Sequence, residues 1–204
     1  MKGLTNSASI YQLLYSEIIL PDKINLSPAE ELKAQKFINH EAKVKYIKRH
    51  ITLHNILANY LTSYKICYDD NGCLFLSNHK INISISHSAD FFIIALSKDK
   101  KIGVDIEHLE QIDNLQAKAK FFLNEDELNY LQNSNYNMII FYKFWTAKEA
   151  ILKAIGLGFF IDAKKLNICL DRMKANFIFN QYSELKISFK YQQSKNYLTC
   201  VAHI

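Results

Sequence analysis

The hexapeptide from Ile102 to Glu107, I-G-V-D-I-E, alternates aliphatic residues with a glycine and two acids. That is the spacing of a strand whose successive side chains point to opposite faces. Ile102, Val104 and Ile106 then face a core, while Gly103, Asp105 and Glu107 share the other face. The two carboxylates stand about 7 Å apart along the strand, beside a glycine that leaves room for something bulky to approach. Such a pair is half of a site for a hard cation like Mg2+, which takes oxygen ligands and is usually held by only a few carboxylates.

A third acid is expected from elsewhere, and Glu149 supplies it within F-W-T-A-K-E-A-I-L-K-A-I-G, a helix closed by Gly156. At about 100° per residue, Phe144, Ala147, Ile151, Ala154 and Ile155 form a buried stripe, and Trp145, Glu149 and Lys153 share the opposite face. Each segment alone has a plain structural reading, a solvated strand edge and a surface Glu–Lys pair. Their combination, with S-H-S at the end of a strand just upstream, is far more specific than either part.

Half of the 204 residues are apolar and the chain holds only five glycines and two prolines, so it is expected to be globular rather than disordered. The four cysteines, at 67, 73, 169 and 200, show neither C-x-x-C pairing nor metal-finger spacing. They read as reduced thiols of a cytoplasmic protein. No secretory signal or bilayer-length apolar run is visible. The net charge of +5 favours anionic partners without specifying them.

In chain order, residues 9–20 read as a strand, and S-P at 27–28 followed by Glu30 and Glu31 as a helix start. Helices are expected at 28–38 and 41–62, the second basic in its first half through Lys43, Lys45, Lys48 and Arg49. Short strands follow near 64–68, 73–76, 81–86 and 91–97. The third of these runs leads from Ile81, Ile83 and Ile85 into Ser86 and His87. A helix at 111–123, a short one capped by Asn124 and Glu127, and a long one at 136–155 come after the acidic strand. Strands near 166–170, 175–180, 184–191 and 197–203 close the chain. The order of elements predicts an α+β fold of two similar α/β lobes related by pseudo-twofold symmetry, residues 1–100 and 101–204. Each lobe packs helices on a small, mostly antiparallel sheet, with the active site in the cleft between them.

Taken together, I-S-H-S-A-D at 85–90, I-G-V-D-I-E at 102–107 and F-W-T-A-K-E-A-I-L-K at 144–153 resemble the 4'-phosphopantetheinyl transferases, specifically the long, monomeric Sfp-like group. The resemblance implies transfer of 4'-phosphopantetheine from coenzyme A to a serine of an apo acyl or peptidyl carrier protein, releasing adenosine 3',5'-bisphosphate. It implies Asp105, Glu107 and Glu149 as Mg2+ ligands, Glu149 also as general base, and Lys153 and Lys148 against phosphate. Ser86, His87 and Lys45, with Lys33 nearby, would meet the terminal ribose phosphate of coenzyme A. Trp145 would pack at the lobe interface, and residues 111–133 would help dock the carrier.

Two departures stand out. Gly72-Cys73-Leu74 replaces the usual Gly-Lys-Pro, and His54 stands where many relatives have arginine, making any charge there pH dependent. The residues alone also suit a metal-dependent nuclease or phosphodiesterase, or a nucleic-acid-binding module using the 43–49 patch. Neither rival explains S-H-S, so no nucleic-acid partner is expected; the resemblance implies a monomer, and without a bilayer-length apolar run no membrane partner is expected.

Overall fold

The computed structural model describes residues 8–156, 162–178 and 182–204. The fold is α+β, as the order of elements predicts. One antiparallel sheet has the order β1-β5-β4, from β1 Ser9–Leu14, β5 Phe91–Ser97 and β4 Asn82–Ser88. A second has the order β6-β10-β9, from β6 Ile102–His108, β10 Tyr197–His203 and β9 Ser188–Gln193. Two small hairpins complete the strands, β2 Ile66–Tyr68 with β3 Leu74–Leu76 and β7 Leu166–Cys169 with β8 Lys174–Phe177. Residues 179–180, at the end of the strand expected over 175–180, lie outside the described residues.

Local chemistry starts and stops the helices. α1, Pro28–Gln35, begins in a capping box in which Ser27 and Glu30 satisfy each other's backbone N–H groups. α2 runs His40–Ala58 from an Asn39 cap. α3 covers Leu115–Phe122, and α4, Glu125–Asn133, opens in the expected box between Asn124 and Glu127. α5, Met138–Ile155, is capped by Asn137 and ends at Gly156, whose φ of 80° lets the chain leave the helix. β1 is shorter than the 9–20 run suggests. Its partner β5 starts at Phe91, opposite Leu14, so the ladder ends there and residues 15–17 turn into one 3-10 turn.

Residues before and after 100 build separate apolar clusters. One gathers α2 and the first sheet around Leu53, Leu57 and Phe92, and another gathers α3, α4, α5 and the second sheet around Phe144 and Ile151. A third, from β5, β6 and β10, spans both through Ile93, Ala95, Val104, Ile106 and Val201. β4 and β6 run side by side in the same sense without a backbone ladder. Hydroxyls bridge them instead: Ser84 Oγ accepts from Val104 N and Ser88 Oγ from His108 N, each at 3.0 Å. The alternation Ser84, Ser86, Ser88 is therefore a polar seam joining the two sheets.

Glu30 reaches beyond its cap. It is fully buried, with His50 Nδ1 2.7 Å from one carboxylate oxygen and His54 Nε2 2.9 Å from the other. Burial pushes its carboxyl up, but His50, His54 and Ser27 together pull it well below the usual carboxylate range. Burial also pulls His50 down, which favours a neutral imidazole donating to Glu30. His54 ties α2 to the start of α1 and, at 2.9 Å, to the Tyr64 hydroxyl. No described helix is long and apolar enough to cross a membrane.

Candidate active site

The acidic strand meets α5 at Gly103, where the room left by the glycine is taken up. Gly103 is buried, and a Cβ on it would stand 1.8 Å from Ala150 O and 2.6 Å from Ala154 N. The bulky group that approaches it is the helix itself. Glu149 and Lys153, each one residue before those contacts, are thereby laid against Asp105 and Glu107. The helix is also buried nearly all round: Phe144, Ala147, Ile151 and Ala154 as expected, but Lys148, Glu149, Ala150 and Leu152 as well. The face expected to leave the core lines a cavity shared with β6 and the end of β4.

Lys153 Nζ donates to Asp105 Oδ1 at 2.7 Å and to Ser86 Oγ at 3.0 Å, while Ser86 donates to the same Asp105 oxygen at 2.7 Å. Glu107 accepts from Ser88 Oγ at 2.9 Å and from Trp145 Nε1 at 3.1 Å. Trp145 also stacks on Phe122, with centroids 4.3 Å apart. It thus serves as a donor within the second-half cluster as well as packing. Asp105 Oδ2 and Glu149 Oε1 are buried without a hydrogen-bond partner among the described residues.

Burial, then the Asp105 charge, raises Glu107 to about 7, against the Ser88 and Trp145 donors. Burial likewise raises Glu149 to about 7; Lys153 opposes the shift and the other two acids add to it. Among the described residues no three His, Cys, Asp or Glu side chains stand close enough to share one ion. The three acids nevertheless line one cavity of about 330 Å³ with Lys153, His87 and Trp145. Two orphaned carboxylate oxygens and an all-oxygen donor set fit a cation that draws its remaining ligands from water and phosphate.

Ile85, His87 and Lys153 also line a second cavity, of about 450 Å³, so the two adjoin. Lys33 and Arg49 stand in its wall with Tyr46, Tyr68 and Cys73. Arg49 donates to the Tyr15 hydroxyl and lies 5.8 Å from that ring's centre, which fixes the guanidinium. Lys45 is less engaged than expected. Its Nζ pairs with Glu41 at 2.8 Å, and it lines neither cavity. Desolvation and the cations Arg49, Lys153 and Lys45 pull His87 down to about 4. The imidazole is thus neutral beside a surplus of positive charge, a setting an anion would relieve. The β2–β3 turn closes one side, as Asn71 Nδ2 donates to Gly156 O at 3.1 Å and Cys73 Sγ lies 3.5 Å from it.

Lys148 is a correction. It is fully buried and lines neither cavity; its Nζ donates to Glu127 Oε2 at 2.7 Å, Ala163 O at 2.6 Å and Leu166 O at 2.7 Å. Set against known proteins, residues 101–202, half of the chain and the half that carries all three acids, match the profile of the 4'-phosphopantetheinyl transferase superfamily. The chain belongs to this superfamily.

Among similar proteins is the 4'-phosphopantetheinyl transferase HetI of Nostoc sp., 29% identical over 65% of this chain and 60% of the relative. The 4'-phosphopantetheinyl transferase gsp of Aneurinibacillus migulanus is 37% identical over 40% of the chain and 34% of the relative. The holo-[acyl-carrier-protein] synthase of Caldicellulosiruptor saccharolyticus is 32% identical over 34% and 59% respectively. The match therefore spans from about a third to about three fifths of these relatives' own lengths.

In this transferase-superfamily chain the motifs disclosed Asp105, Glu107, Glu149, Lys153, Ser86 and His87, all of which line the acid cavity. They did not single out Arg49, Ser88 or Glu127. Arg49 carried a signal, standing one turn after Lys45 on the same helix.

Proposed function

We propose that this protein transfers 4'-phosphopantetheine from coenzyme A to a serine of an apo acyl or peptidyl carrier protein. The observation that carries the reading is that the two cavities adjoin, sharing Ile85, His87 and Lys153. A wall bearing Lys33, Arg49 and His87 leads through Lys153 to three acids, which suits a ligand with a peripheral phosphate and a diphosphate. Asp105, Glu107 and Glu149 line one cavity without forming a three-ligand cluster, and would have to draw together to hold Mg2+, which as a Lewis acid would supply charge withdrawal from the diphosphate. Glu149 takes the proton from the carrier serine as its oxygen attacks the phosphorus bearing pantetheine. A phosphodiester forms on the serine, and the other phosphate leaves on adenosine 3',5'-bisphosphate. A carboxylate raised to about 7 is a better base than an ordinary one. Lys153 offsets charge on the diphosphate oxygens, and Arg49 holds the peripheral phosphate.

The proposal includes lobes of residues 1–100 and 101–204, supported by their separate apolar clusters. It also includes a monomeric, cytoplasmic protein, supported for the compartment by four free thiols. Light scattering that gave a dimer would sink the monomer. Carrier docking falls to the groove beside the acids, about 490 Å³, which shares Glu107 and Trp145 with the acid cavity and carries Lys118 and Phe121. Phe121 is 82% exposed, and Phe121→Ser should raise KM for the carrier while leaving coenzyme A affinity unchanged. Loss of both together would count against this placement.

The deciding experiment is incubation with coenzyme A, Mg2+ and an apo carrier, with mass spectrometry of the carrier serine. No adduct, or cleavage of phosphodiesters without a carrier, would overturn the reading. Arg49→Gln should weaken coenzyme A binding about tenfold, the scale of one charge-assisted contact, with little change for dephospho-coenzyme A. Lys45→Gln should have the smaller effect. Calorimetry with both ligands checks the order.

A further inference from the structure

The buried pair formed by Lys148 and Glu127 has a geometry that a phosphate-binding lysine would not have. An ammonium has three N–H donors, and Lys148 meets three oxygens, one each from Glu127, Ala163 and Leu166. None is left for a ligand. Glu127 is as fully engaged: Oε1 accepts from Ile168 N at 2.8 Å, and Oε2 accepts from Asn124 N at 3.0 Å as well as from Lys148. One carboxylate therefore ties together the start of α4, strand β7 and the middle of α5.

Lys148 precedes Glu149 on the helix, so the two side chains leave it about 100° apart. Glu149 Oε1 has no partner of its own among the described residues to fix its direction. Its aim is inherited from the rotation of α5 about its axis. The Gly103–Ala150 contact fixes how close the helix lies to β6, and Lys148 fixes its rotation at that turn.

We infer that Lys148 and Glu127 are positioning residues, a strut that sets the azimuth of α5 and so aims Glu149 at the reacting phosphate. The inference rests on the transferase reading above. It makes Lys148 a determinant of turnover and not of coenzyme A affinity, the opposite of a phosphate contact.

The test uses the full chain with Lys148→Met and the paired Lys148→Met/Glu127→Gln. The single variant strands a buried carboxylate and is expected to be less stable; the paired one removes both charges and is expected to unfold cooperatively near the wild-type temperature. In the paired variant kcat should fall at least tenfold, with the calorimetric Kd for coenzyme A within about twofold of wild type. Trp145, the chain's one tryptophan, sits one turn before Glu149, and its fluorescence and near-ultraviolet circular dichroism should change as the helix turns. The optical readout needs no carrier. A wild type that transfers nothing, with the spectral change still present, would sink the transferase reading and leave the strut. An unchanged spectrum with unchanged kcat would sink the strut. A tenfold weaker Kd at preserved kcat would restore the phosphate-contact role, and failure of both variants to fold would reduce the pair to a purely stabilising one.

Discussion

Glu149→Gln is expected to lower the transfer rate by roughly 10²–10⁴-fold, the range removed with a general base, and at the same time to make the metal-free protein more stable above neutral pH. The second effect follows from the sign of the shift. Burial raises the Glu149 carboxyl from 4.5 to about 7 in the folded protein, so the folded state favours the protonated form. The stability tied to that preference is fully present below pH 4.5 and is lost as pH rises through 7. At pH 8 the wild type therefore holds an unpartnered buried carboxylate that the glutamine variant does not. Thermal unfolding in EDTA should show the variant melting several degrees higher at pH 8 and the two proteins converging near pH 5. A variant that is inactive because it is misfolded would melt lower at both pH values. Mg2+ binding to the wild type should in turn weaken as pH falls through 7, because Glu107, also raised to about 7, and Glu149 must both lose protons to act as ligands. Retained turnover in Glu149→Gln would remove it as the base.

Which of these features the sequence discloses depends on whether their causes are local. The caps at Ser27 and Asn124 act within a few residues, and both helices start where these caps say. The alternation in β4 and β6 is equally local, and both strands stand where it puts them. The length of β1 is set by where β5 begins, which no periodicity in residues 9–20 contains. Lys148 has the same kind of hidden cause. On a helix that is apolar on nearly every side a lysine needs a buried acceptor, and the capping glutamate of α4 was the available one. Read together, those two facts could have separated Lys148 from Lys153, whose side chain stays partly exposed at the cavity. The family motif alone could not, since it places both lysines beside Glu149.

Gly103→Ala is expected to be the most disruptive glycine-to-alanine change among the described residues. The added Cβ would stand 1.8 Å from Ala150 O, 2.6 Å from Ala154 N and 2.9 Å from Ala150 C, all backbone atoms. Overpacking usually costs about 1–3 kcal/mol because side chains can change rotamer; a backbone carbonyl inside a helix has no such freedom. Either β6 or α5 must move. β6 is held by β10 on one side and by the serine seam on the other, so the helix is the part that yields. Glu149 and Lys153 ride on it, and displacement of even about 1 Å is enough to cost a reaction on the order of 10²-fold. The expected result is a melting temperature lowered by more than about 10 °C, with surviving folded protein nearly inactive in transfer. Gly72→Ala is the control. It has open space around it and pays only for a φ of 76°, about 1 kcal/mol. A Gly103→Ala protein that melted within a degree or two of wild type and kept its turnover would mean that close contact between strand and helix does not set the geometry of the acids.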